Sequence, residues 1–152
     1  MSIIFDVADD LSNIPEILDK FEAALEGHEK NLKIKGKNLE SANVENPSWM
    51  AYYDQRKIEL NSLARFIEMK LEQEKGKLWK AYTEAYSREL SARDKDQYIS
   101  KDPSYLKVYQ VLIIIEELLK KYSSVVDAFQ NRGYALRNIT SLRVASMEDV
   151  VL

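Results

Sequence analysis

The sequence predicts an all-α protein: an elongated helical hairpin or coiled-coil bundle with a long central helix, assembling as an oligomer. Three observations predict it. Only four Gly and three Pro occur in 152 residues, so little interrupts a helix. Hydrophobic residues at 45% and charged residues at 31% belong to a chain that both buries a core and solvates long helical faces. Helical patterning over 14–42 and a proline-free stretch over 49–92 imply helices longer than a small globule needs. At this length the chain forms one domain, 1–152.

The first element, 1–46, is an acidic N-terminal segment with a coiled-coil helix. Ile14, Leu18, Phe21, Leu25, His28, Leu32, Lys35, Leu39 and Ala42 alternate spacings of four and three. Ser12 or Asn13 before Pro15 and Glu16 starts the helix, because proline is tolerated in the first turn and acids favour the positive helix end. Gly27 and Gly36 weaken it, and a kink or end is expected near Gly36. Asn46-Pro47-Ser48 reads as a turn, with Ser48 capping the long central helix of 47–92. Its apolar line (Leu60, Ala64, Ile67, Leu71, Leu78) needs a partner helix. Residues 93–101 read as a linker. Asp102 and Pro103 then open the third element, 102–146. Leu106, Tyr109, Leu112, Ile113, Ile115, Leu119, Tyr122, Val126 and Phe129 form its wide apolar stripe, Gly133 is expected to cap it, and a short basic helix follows. The last residues, from Val144 on, have no clear period.

The net charge of −3 is unevenly spread. Residues 1–29 hold eight acids and one base, Asp6, Asp9 and Asp10 among the acids, for −7. Residues 30–147 hold 21 bases and 15 acids, for +6, and Glu148 with Asp149 add −2. A basic body behind an acidic head binds polyanions where a uniformly acidic chain does not. The head reads equally as a solvated helix end. No cysteine is present, so thiolate metal sites and disulfides are excluded. The longest apolar run, 111–115, is far below the roughly 20 residues of a bilayer span. An acidic N-terminus is unlike a signal peptide, so a cytoplasmic protein is expected (host-cell cytoplasm if phage-encoded), without membrane contact.

Catalysis lacks its parts. The single histidine, His28, lies in the seam and reads first as a register-setting core residue, and no serine has a second histidine to act as its base. No Gly-rich phosphate loop is present, and the carboxylate pairs Glu72/Glu74, Asp94/Asp96 and Glu116/Glu117 are ordinary for a solvated helix. The expectation is a non-enzyme without cofactor or metal.

Two basic stretches point to nucleic acid. Lys30, Lys33, Lys35 and Lys37 follow one another with no acid between them. Residues 128–147 hold Arg132, Arg137 and Arg143, also without an acid, with Tyr134 beside them. Guanidinium forks suit phosphate oxygens, and an exposed tyrosine gives a base something to stack on. Bases along the central helix (Arg65, Lys70, Lys75, Lys77, Lys80) interleave with Glu68, Glu72 and Glu74, which reads as pairing within the helix. Trp79, Tyr82 and Tyr86 share one helical face, first as packing between helices and second as a stacking platform. An oligomer interface is expected at Leu18, Phe21, Leu25 and Leu32, and at Leu136 and Ile139 of the short basic helix.

Over residues 75–143 the order of features resembles the UvsY family, the recombination mediator proteins of T-even-like phages. The resemblance lies in Lys77-Leu78-Trp79-Lys80-Ala81-Tyr82, a polar Asp94-Lys95-Asp96, and Tyr105-Leu106-Lys107-Val108-Tyr109. An apolar helix then closes on Asn131-Arg132-Gly133-Tyr134 and Leu136-Arg137-Asn138-Ile139. It implies an all-helical protein that binds single-stranded DNA and forms a ring-like hexamer or heptamer. Such a protein helps a RecA-like recombinase load onto DNA covered by single-strand-binding protein. Arg132, Arg137 and Arg143 match the basic C-terminal motif, whereas Lys33 and Lys35 rest on charge alone. The net acidity departs from the family. The alternative is a coiled-coil interaction protein, an adaptor or a phage-encoded inhibitor, that binds no nucleic acid.

Overall fold

The computed structural model describes residues 11–86 and 88–146. A 3-10 turn, Leu11–Asn13, leads into α1 (Ile14–Leu25) and α2 (His28–Leu32). Then come α3 (Leu39–Ala85), α4 (Ala92–Ile99) and α5 (Pro103–Val144), with no strand among the described residues. The all-α fold with a long central helix is the one expected. Asp6, Asp9 and Asp10 of the acidic head, with Glu148 and Asp149, lie outside the described residues.

At 47 and 42 residues, α3 and α5 are each about 60–70 Å long at 1.5 Å per residue. They run antiparallel: Asn46 near the start of α3 bonds Phe129 and Arg132 late in α5, while Tyr82 near the end of α3 meets Asp102 at the start of α5. Leu60, Leu63, Ala64, Ile67 and Leu71 of α3 bury with Leu112, Ile115, Leu118, Tyr122, Val125, Val126 and Phe129 of α5. Each such side chain contributes roughly 1.5–3 kcal/mol on full burial. The third side of this core is α1, through Ile14, Ile17, Leu18, Phe21 and Leu25. Phe21 meets Tyr122 edge-on at 6.1 Å, and the Tyr122 hydroxyl donates to the Phe21 carbonyl at 2.6 Å.

Five expectations need correction. The coiled-coil helix over 14–42 ends before Gly36, where a kink or end is expected, but it is also broken at Gly27. Gly27 (φ 80°) and Gly36 (φ 82°) adopt the left-handed backbone that only glycine enters without cost, and the chain turns at each. The heptad positions therefore serve the chain's own core: Leu18, Phe21 and Leu25 are buried, and Leu32 packs against them. With Leu136 also buried, 1% exposed, and Ile139 half-buried, the expected oligomer interface is largely consumed inside one chain.

The turn at Asn46-Pro47-Ser48 is helix instead. Asn38 caps α3, its side chain accepting from the amides of Glu40 and Ser41, and Pro47 lies inside the helix. An interior proline costs about 3 kcal/mol through its missing donor and ring clash. The buried Asn46 beside it offsets part of that by tying α3 to α5. Residues 93–101 are not a plain linker: Ser91 and Asp94 form a reciprocal capping box that starts α4. Asp102 does cap α5 as expected, accepting from the Ser104 amide at 2.9 Å.

Finally, α5 does not stop at Gly133 but runs on through the segment expected to be a separate basic helix. Gly133 answers a packing demand. A Cβ there would stand 3.0 Å from Asn46 Nδ2, so the missing side chain lets α3 approach. No helix among the described residues is long and apolar enough to cross a membrane.

Candidate nucleic-acid interface

Arg132 leaves the set of phosphate-binding candidates, because its donors are taken by the protein. It is 4% exposed. Its Nη1 donates to the Ala42 carbonyl at 3.1 Å and to Asn46 Oδ1 at 3.0 Å. Its Nε donates to the Leu32 carbonyl at 3.1 Å, and Nη2 reaches the Lys33 carbonyl at 3.5 Å. Asn46 completes the knot by donating to the Phe129 carbonyl at 3.1 Å. Burial pushes the guanidinium below its usual value, against the opposing charge of Glu45, yet arginine remains a cation in this setting. One fork thus satisfies carbonyls on both sides of the α2–α3 connection. Without it the part-buried Leu32 carbonyl and the buried Asn46 Oδ1 would lose their partner, and the Ala42 carbonyl would keep only its helical one.

The knot fixes the backbone that carries the lysine run. Lys30, Lys33, Lys35 and Lys37 are all exposed. Lys37 pairs with Glu45 at 3.4 Å. Lys30 and Lys33 line an open cleft of about 980 Å³ whose opposite wall is α5, with Lys120 and Lys121. Three glutamates, Glu22, Glu26 and Glu29, share the rim, and Glu22 is engaged with Lys121 at 3.1 Å. Lys30, Lys33 and Lys120 make no ion pair among the described residues. His28 also faces the cleft, but its Nδ1–H donates to the Leu25 carbonyl at 2.7 Å and closes the end of α1. Its part is local capping rather than seam packing.

Lys120 and Lys121 cannot be singled out in the sequence because they follow the apolar stretch of α5 and look like ordinary solvated positions. Only tertiary packing brings them opposite Lys30 and Lys33. The remaining candidates stay on the surface of α5. The Arg137 guanidinium lies 5.5 Å from the Tyr134 ring centroid, Tyr134 is 49% exposed, and Arg143 is exposed in the last turn. Among the described residues no cluster of His, Asp or Glu could hold a metal ion.

The candidate interface is therefore a lysine-walled cleft against the middle of α5, with a cation–π pair further along that helix. The sequence matches no family model and no curated protein. Among solved structures, the crystal structure of the recombination mediator protein UvsY of bacteriophage T4 superposes with a TM-score of 0.72. The two sequences are 21% identical, and the match covers 83% of this chain and 98% of that one. The likeness at that identity is one of fold. It extends well beyond residues 75–143, to which the sequence resemblance is confined.

Proposed function

We propose that this protein is a UvsY-like, non-enzymatic recombination mediator. It binds single-stranded DNA and helps a RecA-like recombinase load onto DNA covered by single-strand-binding protein. The observation that carries this reading is the fold shared with nearly the whole of the T4 mediator. Lys30, Lys33, Lys120 and Lys121 meet the phosphate backbone, with Lys35, Arg137 and Arg143 as further contacts and Tyr134 beside them. A homo-oligomer multiplies these modest contacts by raising the effective concentration of each site. Its interface lies outside the heptad residues, on the exposed stripe Leu106, Tyr109 and Ile113, which recurs at helical spacing on α5 and is 37–42% exposed.

Titration of a fluorescent single-stranded oligonucleotide at low and moderate salt tests the reading. Micromolar or tighter binding that weakens steeply as salt rises is expected, since each neutralised phosphate releases counterion. Absence of binding at low salt overturns it. That outcome would favour an interaction protein without nucleic acid, a reading to which the net charge of −3 lends weight.

A further inference from the structure

The far end of the hairpin carries a second feature that the lysine cleft does not use. Beyond Leu71 in α3 and before Leu112 in α5 no residue of either helix is buried, so this end is thinly packed. Here three tyrosine rings gather from two helices. Tyr98 of α4 stacks on Tyr82 at 5.7 Å and 24°, and on Tyr86 at 6.0 Å and 20°; Tyr82 and Tyr86 lie 6.1 Å apart. Lys95 sits 5.2 Å over the Trp79 ring alongside.

Packing alone does not account for these rings. Ile99, 2% exposed, already anchors α4, whereas Tyr86 and Tyr98 each remain 45% exposed. Large aromatics left open side by side, with nearly parallel faces, form a surface on which further flat rings can stack. The surrounding charge names the ring's carrier. Residues 75–107 contain eight Lys or Arg and five Asp or Glu. Three of those acids are engaged internally: Asp102 caps α5 and accepts from the Tyr82 hydroxyl at 3.1 Å, Asp94 closes the capping box, and Glu84 lies 4.0 Å from Lys80. Arg88, Arg93 and Lys101 make no ion pair among the described residues.

We infer that Tyr86 and Tyr98, backed by Tyr82, form a stacking platform for the unpaired bases of a single-stranded nucleic acid, with Arg88, Arg93 and Lys101 available to its phosphates. This rests on the proposed DNA binding and assigns it a second, chemically different contact. From Asp102 to Lys121 the rise along α5 is about 30 Å, which sets the axial separation between the platform's end of the hairpin and the cleft.

The test compares an oligothymidine with an abasic oligonucleotide of equal length and charge, on the full chain. The wild type should bind the base-bearing strand about tenfold or more tightly, the usual scale of aromatic stacking. The Tyr86→Ala/Tyr98→Ala variant should lose that preference and retain its affinity for the abasic strand. Tyr86→Phe/Tyr98→Phe, which keeps the rings, should bind both strands as the wild type does, with circular dichroism reporting an unchanged fold. Equal wild-type affinity for the two strands, or a preference that survives in the alanine variant, overturns the platform while leaving phosphate binding intact. Binding of neither strand overturns the DNA reading and the platform with it.

Discussion

The two ends of the α3–α5 hairpin use the same kinds of residue in opposite ways. At one end Arg132, Asn46 and Gly133 form a closed polar knot in which the arginine fork makes four hydrogen bonds to protein acceptors. At the other, Tyr98 stacks on Tyr82 and Tyr86, and Tyr86 and Tyr98 stay open to solvent over a half-buried Tyr82. An arginine that resembles a phosphate ligand in sequence holds the fold, and an aromatic stripe that resembles helix packing ends in an outward-facing Tyr86. Residue type proposes a chemistry; burial decides whether that chemistry is available to a ligand.

The sharpest way to break this contrast is at the knot. Arg132→Ala strands the Leu32 carbonyl and Asn46 Oδ1 and leaves the Ala42 carbonyl only its helical partner, and should lower unfolding free energy by on the order of 3 kcal/mol in urea melts. Arg132→Lys should recover little, because a single ammonium cannot span a planar fork. Tyr98→Ala at the open end should cost only about 1 kcal/mol, the scale of an exposed aromatic pair. Equal losses at the two sites would erase the distinction.

A smaller effect separates the ends by pH. The Ser104 side-chain hydroxyl and amide, helped by the Tyr82 hydroxyl, hold the Asp102 carboxyl below its ordinary value. A carboxylate depressed in the folded state stabilises it fully above the ordinary value, near pH 4, and loses that contribution as pH falls through the depressed one. Acid should therefore loosen the start of α5 and release Tyr82 before it disturbs the knot, whose arginine keeps its charge. Hydrogen exchange corrected for intrinsic rates should show protection lost first around residues 103–108 and later around 129–136. The reverse order would contradict the assignment of Asp102 as the clamp.

Much of the architecture is legible because it depends on patterns local to the chain. The apolar stripe of α5 and the Asp102-Pro103 start are visible in sequence, as is the length of the central helix. The misreadings share a cause. Pro47 and Gly133 are helix-breaking types, and local propensity places a turn at one and a cap at the other. Tertiary contact overrides both, because Asn46 needs the space that Gly133 leaves and the acceptor that Phe129 offers. The heptads of 14–42 are visible, but a heptad does not say whether its partner is a second chain or the same one. In the candidate interface charge alone singles out Lys30 and Lys33, but not Lys120, Lys121 or Tyr98. Their significance comes from what lies across from them in space.

The central claim is that exposed lysines brought together by the fold, rather than the buried arginine, hold the phosphate backbone. Its most direct measurement is the salt dependence of single-stranded DNA affinity for a Lys30→Gln/Lys33→Gln/Lys120→Gln/Lys121→Gln variant. Helicity and melting should match the wild type, since the one ion pair removed, Lys121 with Glu22, is a surface pair of little energetic weight. The slope of log affinity against log salt should become shallower by about 0.7 for each phosphate no longer neutralised, or roughly 2–3 in all. An unchanged slope and affinity in a well-folded variant would contradict the claim.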